Sequence, residues 1–489
     1  MVNLSPFIEF LQPFWPYFVA GVGFSLMVGT ALHVIFNKHD IRSATGWLGL
    51  VWFAPVLGAM LYFLFGINRI QRLAKSKFAA KKIVPLPKLE TEVTIDFIRK
   101  KFGAYNRGLP MLAELTGKVS RQPLVAGNCI KPLLNGDQAF PAMLAAIERA
   151  EYTVTLCSYI FDNDVLGNKF RKALADAVKR GVQVRALIDA IGVRYSFPSI
   201  IRGLRKDGVW VARFLKSRLA WPFRYMNLRN HRKILVVDGK IGFTGGINLR
   251  DGSVLADNPS NPVQDTHFCL QGPIVTELQQ SFAEDWIFTT GERLKGEQWF
   301  PDLSSCGEGI ARGISDGPDD DFGKLRLVIL GALTSAHKSV RIVTPYFLPD
   351  NELVAGLKIA ALRGIKVQIL LPGVTNLGLV KWASDAGLEE LLRAGCRVFY
   401  TAPPFDHSKL MTVDGSWVLL GSANWDPRSL TLNFEFNVEC YDENLAGRID
   451  GIINGKIADA HEVTIEEMRS CFVGIHLRNR LLRLFSPYL

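Results

Sequence analysis

A chain of 489 residues can hold two or three units of ordinary domain size with a substantial core. Its net charge of +11 suits an anionic partner, either nucleic acid or an acidic membrane surface, and composition alone does not choose between them. The seven cysteines are odd in number, scattered and never in C-x-x-C, which argues against a disulfide framework or a zinc site and fits a reducing compartment.

Residues 14–36 and 44–67 are apolar runs without a charged residue. At about 1.5 Å per residue each can cross a hydrocarbon core of about 30 Å, so residues 1–67 are expected to form a hairpin of two transmembrane helices. Residues 1–11 contain no Lys or Arg, unlike a signal peptide. Trp15, Tyr17, Trp47 and Tyr62 are expected as interface anchors. Arg69, Arg72, Lys75, Lys77, Lys81 and Lys82 outnumber Lys38 and Arg42 of the intervening loop, so the positive-inside rule puts both termini in the cytoplasm. Residues 68–125 read as a basic juxtamembrane linker of weak periodicity, whose cations would attract anionic headgroups.

Beyond it the pattern changes to strands alternating with helices. A helix at 140–150, a strand at 152–161, a helix at 167–180 and strands at 182–188 and 209–214 lead to a motif. The second half repeats this order, with strands at 339–347, 365–371 and 396–400 before a second motif. The expected fold is α/β: two lobes, 126–303 and 324–489, related by a pseudo-twofold and joined by a Gly- and Asp-rich linker at 304–323. Each lobe would be a mixed sheet flanked by helices, with the motifs meeting at the seam.

The motifs are in register. Asn230-His231-Arg232-Lys233 runs to Asp238-Gly239 and then Gly245-Gly246-Ile247-Asn248. Displaced by 176 positions, Asp406-His407-Ser408-Lys409 runs to Asp414-Gly415 and then Gly421-Ser422-Ala423-Asn424. His and Lys two apart share one side of a strand, so an imidazole and an ammonium enter one cleft. Two copies face to face supply twin imidazoles, twin cations and twin amides, enough to hold a phosphodiester and break one P–O bond. One His would attack phosphorus and the other would protonate the departing alkoxide. Lys233, Lys409, Asn248 and Asn424, with Ser422, would hold the non-bridging oxygens. Asp265 and Glu435 each stand near the start of a later strand and are expected to orient the histidines. Asp238 and Asp414 complete the catalytic signature, but they face turns and read as structural. No H-E-x-x-H, Cys/His cluster or P-loop is present, so neither metal nor cofactor is expected.

This composite pattern resembles the phospholipase D superfamily over most of residues 125–489. The apolar hairpin, the length and the ending Arg483-Leu484-Phe485-Ser486-Pro487-Tyr488-Leu489 resemble bacterial cardiolipin synthases within it. The resemblance implies a membrane enzyme of the bacterial inner membrane, multi-pass, with its catalytic part facing the cytoplasm. It implies transfer of a phosphatidyl group from one phosphatidylglycerol to another, with His231 as nucleophile and His407 as acid. Expected partners are phosphatidylglycerol and an anionic membrane surface, not nucleic acid, with a homo-oligomer left open. A lipid phosphodiesterase and a nuclease of the same fold are the alternatives. Residues 214–224 and the basic tail with Arg478, Arg480 and Arg483 would suit either a bilayer surface or ordinary packing.

Overall fold

The computed structural model describes residues 12–38, 41–66, 91–103, 106–215, 228–317, 323–470 and 472–486. The chain divides into two units, Met1–Leu73 and Ala74–Leu489. The cations at 69–82 and most of the loop at 214–224 lie outside the described residues.

In the N-terminal unit, Trp15–Asn37 is one continuous helix, long and apolar enough to span a bilayer. The second apolar run departs from expectation, being split into helices Ile41–Phe53 and Pro55–Leu61. Pro55 disfavours a helical residue before it, and Ala54 leaves the helix at φ −140°, ψ 73°. A Cβ on Gly58 would lie 2.7 Å from the Leu50 carbonyl oxygen, so only glycine lets the two short helices close on one another. Tyr62, expected as an interface anchor, packs within the unit. It is buried, its hydroxyl 2.9 Å from His33 Nδ1 and its ring edge-on to Trp47.

Among the described residues the second unit has a sheet of 15 strands and a separate pair of short strands, one from each lobe. In the first lobe these are β1 (Val125–Leu134), β2 (Thr153–Ser158), β3 (Gln183–Asp189), β4 (Trp210–Phe214), β5 (Ile234–Val237), β6 (Ile241–Gly245), the short β7 (Val263–Gln264) and β8 (Thr266–Gln271). The second lobe has β9 (Gly309–Asp316), β10 (Ser339–Val343), β11 (Lys366–Pro372), β12 (Arg397–Thr401), the short β13 (Phe405–Asp406), β14 (Leu410–Val413), β15 (Trp417–Gly421), β16 (Glu435–Tyr441) and β17 (His461–Val463). Strand order is β4-β3-β2-β5-β6-β8-β1 in one lobe and β9-β16-β15-β14-β10-β11-β12-β17 in the other. Apart from β17, each strand of one lobe has its counterpart at the same distance from the seam in the other. Antiparallel pairing of β1 with β9, through Val125 with Ala311 and Asn128 with Gly309, joins the halves.

Strand alternation sorts residues to the two faces. In β2, Val154 and Leu156 join a core with helices Asn135–Glu148 and Val165–Lys179, whereas the Thr155 hydroxyl donates to Gln279 of helix Ile274–Thr290 on the opposite face. The stretch expected as a linker is structured over part of its length. Helices Ile95–Phe102 and Gly108–Ser120 send Ile98, Phe102, Leu109 and Leu112 into the core of the second lobe beside Val328 and Leu333. Leu109, Leu112, Ala113, Thr116 and Ser120 are buried at helical spacing, an apolar stripe diluted by polar members.

The C-terminal helix Val473–Leu484 packs on helix Gly378–Arg393. Arg483 donates to the Ala386 carbonyl at 3.2 Å and to Glu390 at 2.9 Å, and Arg478 stacks 4.0 Å over Trp382. Val473, Leu477, Leu481 and Leu484 remain exposed on that helix.

Candidate active site

Each motif begins just before an inner strand, β5 or β14, and its backbone is tied to the opposite lobe. His231 N donates to the Phe434 carbonyl at 2.9 Å, and His407 N donates to the Gln264 carbonyl at 2.8 Å. Those carbonyls immediately precede Glu435 and Asp265. The acids are thereby exchanged between lobes: His231 Nδ1 lies 3.0 Å from both Glu435 oxygens, and His407 Nδ1 lies 2.8 Å from Asp265 Oδ2. With Nδ1–H given to a carboxylate, the Nε2 lone pair is left for the cleft.

The two pairs are built differently. Glu435 Oε2 accepts from the Ser422 hydroxyl at 2.5 Å and Oε1 from the Asn433 amide at 3.3 Å. Asp265 Oδ1 accepts from Thr266 N at 2.7 Å. At Gly246, the counterpart of Ser422, a Cβ would meet the Asp265 carboxylate oxygens at 2.3 and 2.4 Å. The shorter acid sits against a glycine, and the longer one leaves room for a hydroxyl. Ser422, expected on the phosphate, is instead fully buried behind Glu435, and it also accepts from Phe436 N at 3.1 Å.

Lys233 Nζ donates to the His231 carbonyl at 2.7 Å, and Lys409 Nζ donates to the His407 carbonyl. Both lysines are buried. Burial pushes Lys233 down to about 7 and Lys409 down to about 8; the charge of Lys409 adds to the effect on Lys233, while Glu435 and Asp265 oppose it at both. Burial, then Lys409, Lys233 and His231, hold His407 well below the usual imidazole range. Burial also lowers His231, against the pull of Glu435. Asp265 is pushed up to about 6 by burial. Burial acts on Glu435 too, but His231, Lys233 and Ser422 outweigh it and keep this carboxylate below its ordinary range. These six groups feel one another strongly, as members of one desolvated cluster. An anion between the lysines and imidazoles would restore the cations' affinity for protons.

Asn248 Oδ1 accepts from Ile160 N at 3.2 Å, and the buried Asn424 amide bonds Asp426. Tyr159 meets the His231 ring edge-on at 5.3 Å, and Tyr346 stands 6.3 Å from the His407 ring. Among the described residues no three His, Cys, Asp or Glu side chains gather as a metal site would need.

Asp238 and Asp414 make their hydrogen bonds at the heads of strands rather than to the histidines or lysines. Asp238 accepts from the backbone of Glu151, Tyr152 and Thr153 at 3.0, 2.7 and 2.8 Å, at the start of β2. Asp414 does the same for His337, Lys338 and Ser339 at the start of β10 and also accepts from the Asn106 amide at 2.7 Å. The residues between His and Lys were missed by sequence reasoning. Arg232 pairs with Asp285 at 2.7 Å and donates to the Glu435 carbonyl at 3.1 Å and to Ser315 Oγ at 2.5 Å, so it crosses the seam. Ser408 reaches Thr266 Oγ1 at 3.3 Å. Arg232 gave no local signal, since it stands among the polar Asn230, His231 and Lys233 just ahead of β5.

A family model described as the phospholipase D-like domain of cardiolipin synthase matches residues 143–286 and 329–456, and a phospholipase D-nuclease N-terminal model matches 25–66. Cardiolipin synthase A of Pseudomonas putida (strain GB-1) is 34% identical over 490 residues, covering 99% of this chain and 100% of its own. Cardiolipin synthase of Geobacillus kaustophilus is 31% identical over 495 residues, covering 100% of this chain and 98% of its own. Among solved structures, phosphatidylserine synthase of Haemophilus influenzae shares the fold with a TM-score of 0.60 at 14% identity, over 78% of this chain and 100% of its own. The duplicated motifs, the mirrored lobes and likeness running from end to end agree: the chain belongs to the bacterial cardiolipin synthases, phosphatidyltransferases of the phospholipase D type.

Proposed function

We propose that the protein joins two phosphatidylglycerol molecules into cardiolipin and releases glycerol. His231 Nε2 attacks the donor phosphorus, the P–O bond to the glycerol headgroup breaks, and His407 gives its proton to the departing oxygen. A phosphatidyl group is then bonded to His231. The terminal hydroxyl of a second phosphatidylglycerol passes its proton to His407 while its oxygen bonds to phosphorus and the P–N bond breaks. One phosphodiester replaces another, so no nucleotide is consumed.

The lysines and Asn248 and Asn424 would carry the charge that grows on the non-bridging oxygens. Arrival of the phosphate anion raises the depressed His407, which prepares it as the acid. The observation that carries the chemistry is the pair of buried imidazoles, each backed by a carboxylate from the opposite lobe. The choice of a lipid alcohol over water rests on the end-to-end likeness to cardiolipin synthases. The basic residues after the apolar runs favour a catalytic part on the cytoplasmic face, working on the anionic leaflet.

Incubation with phosphatidylglycerol vesicles tests this reading. Cardiolipin and glycerol in equal amounts are expected, and phosphatidic acid without cardiolipin would overturn it in favour of a phosphodiesterase. Quenching in denaturant at neutral to mildly alkaline pH, where the acid-labile P–N bond survives, followed by mass spectrometry should find the phosphatidyl adduct on His231.

A further inference from the structure

Strand topology decides which loops border the cleft. β2 runs parallel to β3 and antiparallel to β5, so the end of β3 shares a sheet edge with the start of β5, just behind His231. β10, β11 and β14 repeat the arrangement around His407. The loops that follow β3 and β11 are therefore counterparts, one from each lobe, on the side where the imidazoles lie.

Each loop stands one aromatic ring away from a histidine. Tyr159 meets the His231 ring edge-on, and the Tyr195 ring lies 6.2 Å from that of Tyr159. Tyr346, near the His407 ring, donates its hydroxyl to Asn376 at 2.9 Å. Burial pushes the Tyr346 hydroxyl up to about 12; Asn376 opposes this, while Asp426 and Tyr195 add to it, so Tyr195 acts across the seam.

Both loops turn apolar side chains to solvent. Tyr195, Phe197, Val374, Leu377 and Leu379 are exposed, Phe197 at 100%. The Phe197 backbone is held on either side: Asn163 N donates to Ser196 Oγ at 3.1 Å, and the Asn163 amide donates to the Pro198 carbonyl at 3.0 Å. Scattered exposed apolar residues are ordinary, but five in paired loops at one mouth mark a contact surface. Charge identifies the partner. Residues 190–206 hold Arg194, Arg202, Arg205 and Lys206 without an Asp or Glu, and residues 373–384 hold Lys381 and no acid either. Lys381 pairs with Asp385 at 3.3 Å and Arg205 donates to the Val211 carbonyl, whereas Arg194, Arg202 and Lys206 are exposed. The acids behind the first loop face elsewhere, Asp162 toward Arg250 at 3.7 Å and Asp164 toward Gly167 N and Asp251 N.

We propose that the loops after β3 and β11 dip into the lipid bilayer, so that the cleft opens within the headgroup layer of an anionic leaflet. Whatever covers this rim also covers the cleft, and a substrate-bearing bilayer can do so without blocking turnover. A second copy of the chain would seal the histidines from lipid. The proposal rests on the reading above, in which both substrates are phosphatidylglycerol. Donor and acceptor then enter from one leaflet, and water is thinned out around the phosphohistidine.

The full chain in nanodiscs containing phosphatidylglycerol tests this. An indole is placed on the rim by Phe197→Trp and, as control, at the opposite sheet edge by Leu362→Trp, since the exposed Leu362 precedes β11 rather than following it. Brominated lipid should quench the added emission at 197 severalfold more than that at 362, and equal quenching would overturn the proposal. The double variant Phe197→Asp, Leu379→Asp should lower, about tenfold, the ratio of cardiolipin formed from vesicles to that formed from dispersed short-chain phosphatidylglycerol. That ratio does not depend on how much enzyme is folded. An unchanged ratio would overturn the rim, as would a wild-type dimer that the double variant abolishes, because the face would then belong to a second copy. Wild-type enzyme releasing only phosphatidic acid would overturn the synthase reading and leave the quenching at 197 as it is.

Discussion

His231 is oriented by Glu435, a residue 204 positions later that belongs to the other lobe. Its twin does likewise, since His407 takes Asp265 from the first lobe. Neither imidazole has its working geometry until both lobes are folded together.

Replacing Glu435 with Gln, or Asp265 with Asn, leaves the fold's shape but removes the charge that fixes the ring tautomer. Cardiolipin formation at saturating lipid should fall at least about a hundredfold for each. The melting temperature should fall less for Asp265→Asn, whose charge burial disfavours, than for Glu435→Gln, whose charge His231, Lys233 and Ser422 stabilise. A variant retaining most of its activity would show that the carboxylates do not orient the rings.

The unequal supports of the two acids predict unequal tolerance. Ser422→Gly removes the 2.5 Å bond to Glu435 and should slow turnover about tenfold in a stable protein. The reverse exchange, Gly246→Ser, drives a Cβ to 2.3 Å from Asp265 and should cost both folding yield and activity. Thermal melts with vesicle assays on both variants decide this, and equal damage would contradict it.

Asp238→Ala and Asp414→Ala should act on stability. Each carboxylate accepts three backbone N–H groups at the head of a strand, and their φ values of 50° and 53° suit Asp better than Ala. A loss of about 3 kcal/mol is expected, larger at Asp414 because Asn106 also binds there. Chemical denaturation measures the loss. A stable but inactive Asp414 variant would return this residue to the chemistry.

The pH profile follows from the lysines. Lys233 near 7 and Lys409 near 8 lose their charge as pH rises, so kcat/KM of the free enzyme should fall from about pH 7 upward. A bound phosphate anion raises both, so the fall in kcat should come at higher pH. On the acid side the lowered His231 stays neutral, and able to attack, below the usual imidazole range. A kcat/KM that stays flat to pH 9 would contradict the assignment.

Much of the second unit was legible in the sequence because duplication supplies its own control: two copies in register mark the strands, the lobes and the paired His and Lys residues. The crossing of acids between lobes was not, since no local pattern tells Asp265 which imidazole it will meet. Helix Gly108–Ser120 escaped notice because Thr116 and Ser120 dilute its buried stripe. The second apolar run looked continuous because Pro55 adds nothing polar, although it breaks the backbone. Arg478 and Arg483 read equally as membrane contacts until Trp382 and Glu390 appeared beside them.

The β1–β9 join has an evolutionary corollary. Once a duplicated gene lends each half's acid to its sibling, the halves can no longer drift apart freely, because a change in one alters the proton chemistry of the other. Fragments divided near residue 305, ahead of β9, should therefore be inert separately and regain activity only on being mixed.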